Sequence, residues 1–376
     1  MNITTAGESH GKGLFCIIEG LPSGLTLDLE EISENLALRQ TGYGRGARQK
    51  IECDEAEILS GVRDRRTLGS PVTLAVWNRD YANWKDYMAP EGCDVTRRTL
   101  TKVRPGHADL TGLKKYGGTD ARNILERASA RETAVRVAAG TICRQLLREL
   151  GIEVRGYVRS AGGATDEKEY TFDELADRLP ELYMMDKDVQ ARAMTVIDEC
   201  KDTGDTCGGI AELRVRGMKC GFGSCMTSAQ KLDGRLAGAL MSVQAVKGVE
   251  FGLGFGAAVR RGSAVHDEIY FEEKQGYYRK TNRAGGVEGG MSNGEELVIR
   301  LAKKPIPTLM RGLNTVDYVS HEEVRAATER SDVCAIKAFT VIAESVLCTE
   351  LCKIVLERLG GDNLAEVKER YERLPR

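Results

Sequence analysis

Residues 126–158 read ERASARETAVRVAAGTICRQLLRELGIEVRGYV, and the reading of the fold starts from them. Ser129 followed three residues later by Glu132 is a capping box, which satisfies the free N–H groups that open a helix. Gly151 offers the left-handed residue that ends one. A helix is therefore expected over 130–150, with a strand over 152–158. The same helix–glycine–strand order recurs as a helix over 235–246, Gly248 and a strand over 249–251, a hint of internal duplication.

Upstream, residues 14–19 read as a strand, and Pro22, Ser23 and Gly24 as the turn after it. Asp28 and Glu31 form a second capping box, for a helix over 29–39 that stops at Gly42. Residues 51–76 read as strands broken at Gly61 and at 69–71. Residues 80–94 read as a polar surface excursion and 101–119 as a long loop. Downstream, 171–201 is charged and helix-favouring, and 210–216 alternates as a half-buried strand does. Residues 284–294 form a glycine-rich loop, 298–301 a strand and 304–307 a rigid connector, and a long helix runs on from Ala335. Helices and strands mix without a steady βαβα beat, which predicts an α+β fold rather than a doubly wound sheet. With eight prolines and no proline- or serine-rich linker, residues 1–376 are expected to form one domain.

Composition narrows the function. A net charge of −2 and a pI near 6.2 give no global footprint for nucleic acid or an anionic membrane, so any anion site must be local. The first twenty residues lack a basic region followed by a long apolar run, so no secretion signal is expected. The apolar stretch 335–356 carries Lys337, Glu344, Glu350 and Lys353, which suits a buried helix and not a membrane span. The eleven cysteines form no framework and are expected to be reduced thiols in a cytoplasm. Cys348 and Cys352 stand one helical turn apart, but no histidine or second close pair completes a zinc site, so no metal is expected.

Two of the four histidines sit in polar, glycine-flanked turns: His10 in GESHG (7–11) and His107 in RPGHAD (104–109). Histidine changes charge near neutral pH, and a polar loop presents it to a ligand. Arg39, Arg45 and Arg48 lie in and before the loop GYGRGAR (42–48), and Arg104 stands beside His107. The opening of the 130–150 helix adds Arg127, Arg131 and the Ser129 hydroxyl to its own N–H groups, a ready anion site. Arginine can grip a phosphate with two parallel hydrogen bonds. Asp332, in ERSD (329–332), reads either as the cap of the last helix or as a carboxylate aimed into the site. Together these features predict acid–base chemistry on a polyanion; a structural histidine and a solvated charged face are the plainer alternatives.

Two familiar patterns fail on context. GESHG fits G-x-S-x-G, the nucleophile elbow of hydrolases, but that elbow joins a sheet strand to a helix, and here a strand follows. Ser9 is better read as a hydrogen-bonding neighbour of His10. GLGFGA (252–257) fits the dinucleotide fingerprint and follows a strand, but no helix follows to hold a pyrophosphate, so a closely packed strand is expected.

Taken jointly, several stretches resemble the chorismate synthase family: GESHG, RQTGYGRGAR (39–48), RPGHAD, ERASARETAVRVAAG (126–140), MSVQAVKGVEFG (241–252), GGMSNG (289–294), KPIPT (304–308) and RSD (330–332). Ala128 departs from a common serine in that pattern, and Gln244 stands where some relatives have asparagine. The resemblance implies a β-α-β sandwich with a helical layer between antiparallel sheets. It implies a lyase that turns 5-enolpyruvylshikimate 3-phosphate into chorismate and phosphate, the last step of the shikimate route to aromatic compounds. It also implies reduced FMN as a cofactor without net redox change, NADPH as a candidate reductant, a homotetramer, and no nucleic-acid or membrane partner. On the same basis His107 protonates the leaving phosphate, His10 sets the protonation of the flavin, and Asp332 relays a proton beside it. Arg39, Arg45, Arg48, Arg104 and Arg131 match substrate-side positions. Arg127, Ala128, Ser129, Gln244, Ala245 and Gly289 match flavin-contacting positions, as do Lys304, Pro305, Ile306, Pro307, Thr308 and Arg330. An NAD(P)H-consuming flavin oxidoreductase and a non-catalytic anion-binding protein remain the alternatives from other classes. The missing dinucleotide context speaks against the first. The acidic pI and sparse aromatics speak against nucleic acid for the second.

Overall fold

Alternation in the first strands sets one face of the fold: Leu14, Cys16 and Ile18 point inward from a strand whose other residues are more exposed. The computed structural model describes residues 1–46, 53–274, 276–328 and 331–375. Strands β1 (Asn2–Gly7), β2 (Gly13–Glu19), β3 (Ala56–Ser60) and β4 (Val72–Trp77) form an antiparallel sheet in the order β1-β2-β4-β3. Strands β5 (Glu153–Ala161), β6 (Ala164–Thr165), β7 (Gly209–Arg216), β8 (Val246–Phe251) and β9 (Leu297–Lys303) form a second, in the order β8-β9-β7-β5-β6, again antiparallel.

Helices fill the space between. Helix α1 (Leu29–Gln40) and helix α2 (Thr133–Glu149) pack with helix α3 (Ile336–Leu359); α2 lies on β2 and β4, and α3 on β5 and β7. One core cluster therefore joins Leu14 and Leu74 of the first sheet, Ile142 and Leu347 of the helices, and Leu213 and Ile299 of the second sheet. This is the expected α+β sandwich. Helix α3 is apolar on nearly every side because both neighbours bury it. Gly140 lets it approach α2: a β-carbon there would stand 2.4 Å from the Ser345 carbonyl oxygen. Its one fully buried carboxylate, Glu344, is held by Arg144 and Arg178, each at 2.7 Å, and by the Gly156 N–H at 2.6 Å. Burial raises the Glu344 carboxyl, but the two guanidiniums outweigh that and hold it below its ordinary value. Among the described residues no helix is long and apolar enough to cross a membrane. All eleven cysteines are free thiols, and Cys348 and Cys352 pack in the core.

Several local expectations need correction. The 130–150 helix is a helix over Arg122–Ala128, a break at extended Ser129, a 3-10 turn over Ala130–Glu132, and then α2. Ser129 accepts from the Arg131 N–H at 3.3 Å, but Glu132 does not reach back, because its carboxylate takes the Gln244 amide at 2.8 Å. Asp28 does cap α1. The loop 101–119 contains a helix over Asp109–Tyr116. Its Gly112 is needed for contact: a β-carbon would meet the Ile124 side chain at 2.3 Å. The helix expected over 235–246 spans Leu232–Met241, and Ala245 turns the chain at φ 71° into β8. The 252–257 stretch is a turn and a 3-10 helix over Gly254–Ala257 and not the expected strand, because β8 ends at Phe251; only the close packing holds, with the Gly252 backbone set against the 283–285 segment.

Candidate active site

The β1–β2 hairpin turn is pinned by one carboxylate. Glu126 accepts from the His10 N–H at 2.7 Å and meets the His10 ring Nδ1 at 2.8 Å, while its carbonyl takes the Ser9 N–H at 2.9 Å. An ionised carboxylate can only accept, so Nδ1 carries a hydrogen and Nε2 is left for other partners. Trp84 stacks on the ring at 3.9 Å between centroids. The 80–94 segment is thus more than a surface excursion: its Trp84 is buried at 8% exposure. Asn78 donates to the Glu8 and Gly11 carbonyls and accepts from Arg131 Nε at 3.0 Å, which ties the turn to the start of α2.

The RPGHAD turn repeats the device. His107 Nδ1 faces Asp109 Oδ1 at 2.5 Å, and Arg104 grips the same carboxylate through Nε at 2.8 Å and Nη2 at 3.1 Å. Asp109 opens the helix Asp109–Tyr116, which packs with Leu100, Val103 and Leu125 in a small second core. Arg104 Nη1 donates to Thr308 Oγ1 at 3.2 Å, and Lys304 Nζ donates to the Gly106 carbonyl, so the 304–308 connector is tied to the histidine loop.

Burial raises both carboxylates, but hydrogen bonds from His107 and Arg104 hold Asp109 far below the ordinary range. Bonds from the His10 ring and backbone, with the Arg122 charge, likewise hold Glu126 low. A carboxylate with a depressed folded pKa stabilises above its unfolded value, near pH 4, and that stabilisation is lost as pH falls through the folded value. Urea midpoints should therefore fall on acidification below about pH 4. The change Glu126→Gln should remove part of that fall; an unaltered acid profile would show that the pair contributes nothing.

A third cluster forms at α1. Arg39 donates to Asp54 at 3.1 Å, to Thr133 Oγ1 at 3.0 Å and to the Ala130 carbonyl at 3.1 Å; Arg131 meets the same Asp54 at 2.5 Å. Asp332 is no helix cap, since α3 opens at Ala335 without a side-chain cap. Instead it accepts from the Gly46 N–H at 2.6 Å and faces Arg45 at 2.7 Å.

These pieces enclose one cavity of about 410 Å³, within the range of small-ligand sites. His10, His107 and Asp332 line it, as do Arg39, Arg45, Arg104 and Arg131. So do Ala128, Ser129, Gln244 and Ala245, and Lys304, Ile306, Pro307 and Thr308. Three expected residues are not on this wall. Arg127 lines a neighbouring pocket with Arg136 and Lys353, which meets the first at Gln244. Pro305 is in the connector but off the cavity wall, and Gly289 sits in the 287–292 hairpin. Arg48 and Arg330 lie outside the described residues. Sequence reading missed the roles of Asp54, Glu126, Asp109, Trp84 and Asn78, which position the cavity residues, and it missed Lys303 on the wall.

A model of the chorismate synthase family matches residues 1–356. The chain belongs to the chorismate synthase family. The Geobacter sulfurreducens chorismate synthase is 52% identical over 379 residues, covering 98% of this chain and 96% of the relative. That of Alkaliphilus metalliredigens is 49% identical over 372 residues, covering 98% of each. A crystal structure of chorismate synthase superposes with a TM-score of 0.78 at 40% identity, over 99% of this chain and 96% of the other. The matched span holds every motif that carried the resemblance, and in this chorismate synthase family chain both histidine turns and Asp332 reach one cavity.

Proposed function

We propose that the chain converts 5-enolpyruvylshikimate 3-phosphate to chorismate and inorganic phosphate with reduced FMN as cofactor, acting as a single domain in a cytoplasmic homotetramer. One observation carries the reading: two imidazoles, each set by a buried carboxylate, share a cavity with Arg39, Arg45, Arg104, Arg131, Lys303 and Lys304. A substrate with two carboxylates and a phosphate suits that wall, in a chain whose net charge is only −2.

The cavity also fits a flavin. Gln244 Oε1 is a buried acceptor and Arg45 Nε a buried donor, neither with a hydrogen-bond partner among the described residues, and both residues line the wall. A flavin ring carries donors and acceptors along one edge. Ala128, Ser129, Gln244 and Ala245 would hold it from one side and the 304–308 connector from the other, with Arg127 reaching from the adjacent pocket. Gly289, off the cavity within one chain, would contribute across a subunit boundary, and Pro305 through its backbone setting. When bound, reduced FMN supplies an electron to the allylic system and recovers it, so that the reaction has no net redox change.

The protein's own part is charge and proton placement. Arg39, Arg104 and Arg131, with Arg45 and Arg48, hold the substrate anions where charge develops. His107 gives a proton to the phosphate as its bond to C3 breaks, and His10 holds the proton balance on the cofactor side. Asp332, fixed by Arg45 and the Gly46 N–H, receives and passes on the proton from C6. NADPH is the reductant proposed to renew the flavin. The test is anaerobic incubation with substrate and reduced FMN, following chorismate absorbance and phosphate together. Equal yields of both products are expected. Phosphate without chorismate would overturn the reading.

A further inference from the structure

Every arginine described on the cavity wall already faces a carboxylate. Arg39 and Arg131 share Asp54, Arg45 faces Asp332, and Arg104 faces Asp109. The two lysines have none within 4 Å among the described residues. Lys304 donates to the Gly106 carbonyl. Lys303 has only the Lys304 carbonyl, at 3.3 Å, beyond the ordinary span of an N–H···O bond.

Lys303 ends strand β9 on the face that carries Leu297, Ile299 and Leu301, so its stem runs inward; the residue is 7% exposed and lines the cavity. An ammonium has three donors. Burying it with no carboxylate in contact among the described residues is costly. Burial pulls its pKa below the ordinary lysine value. The nearby Cys334, Cys207 and Asp332 oppose this, and Arg45 adds to it.

We propose that Lys303 is a ligand-binding cation of the site, seating the negative edge of the reduced flavin ring. The inference rests on the flavin reading above. Lys303 adjoins the 304–308 connector in the chain, and the carboxylate that acts on it is Asp332, where the arginine clusters centre on Asp54 and Asp109. The ring of oxidised flavin is neutral, whereas reduced flavin loses the N1 proton near neutral pH and becomes an anion. A cation without its own carboxylate therefore discriminates between the two redox forms, which paired arginines do far less.

The experiment is an anaerobic titration of wild type, Lys303→Met and Lys303→Arg with oxidised and with photoreduced FMN. Methionine keeps an unbranched apolar stem without charge. Wild type should prefer reduced FMN, and the methionine variant should lose about tenfold or more of the reduced-to-oxidised affinity ratio. That loss equals a fall of about 30 mV in the bound flavin's midpoint potential per tenfold. The arginine variant should retain the ratio. In wild type the preference should fade as pH rises and Lys303 discharges, while the arginine variant keeps it. An unchanged ratio in Lys303→Met, or equal weakening of both forms, overturns the assignment and marks the side chain as packing. A parallel titration with 5-enolpyruvylshikimate 3-phosphate alone, weakened while the flavin ratio stands, would give the cation to the substrate and overturn it too. A wild-type protein that binds neither form of FMN would sink the flavin reading itself, and this one with it.

Discussion

Replacing His107 with alanine is expected to lower turnover by about 10²- to 10⁴-fold, the usual worth of a placed acid. The reason lies in how little freedom the ring has. Asp109 is buried and kept ionised by Arg104, and at 2.5 Å it accepts from His107 Nδ1. The hydrogen on Nδ1 leaves Nε2 as the only nitrogen that can serve the phosphate. Without the imidazole, the phosphate must leave with its full charge or draw a proton from water. Asp109→Asn should reproduce much of the loss while keeping the imidazole, because an amide can donate to Nδ1 and so favour the wrong tautomer. His10→Ala should cost about 10²-fold or more for the parallel reason, its ring being set by Glu126. The rates should be read as kcat under strict anaerobiosis with excess reduced FMN. A His107→Ala enzyme turning over near the wild-type rate would remove that residue from the chemistry.

The sequence made some of this visible and hid the rest for identifiable reasons. Glycine-flanked histidines stood out because polar turns need glycine, and the strands stood out because alternation survives in a sheet buried on one face. Asp54 could not be found that way. It is one acidic residue in CDE (53–55), and only the approach of Arg39 and Arg131 from two different helical segments gives it a task. Trp84 lay in a segment that reads as polar, and its role depends on a ring 74 positions away (84 − 10). Ser129 and Glu132 did form a local signal, but Gln244 draws the Glu132 side chain away, so tertiary pairing overrides the box. The helix Asp109–Tyr116 was hidden by Gly112, which lowers helix propensity but allows contact with Ile124. Lys303 fell between the strand read over 298–301 and the connector read over 304–307; the strand runs on to it, and register turns it inward.

Removing the Asp54 carboxylate should be the most damaging change to stability near the site. Its side chain is fully buried, and it neutralises two guanidiniums whose own side chains are nearly as buried. Burial pulls Arg39 down to about 10; Asp54 opposes that, and Arg131 and Arg45 add to it. Take Asp54 away and the remaining charges repel one another in a poorly solvated place. Breaking a buried ion pair by deleting one partner typically costs about 3–5 kcal/mol. Asp54→Ala is therefore expected to lose stability on that scale in urea unfolding, and Asp54→Asn somewhat less, since the amide can still accept one hydrogen bond. The same reasoning separates this from an ordinary packing defect. Two arginines stripped of their carboxylate form a stronger anion site than the native cavity, so inorganic phosphate should restore the Asp54→Ala midpoint more than it raises that of the wild type. A loss below about 1 kcal/mol, the scale of exposed ion pairs, would mean that Asp54 is dispensable. A full loss that phosphate does not relieve would mean that it holds the backbone and not the charge.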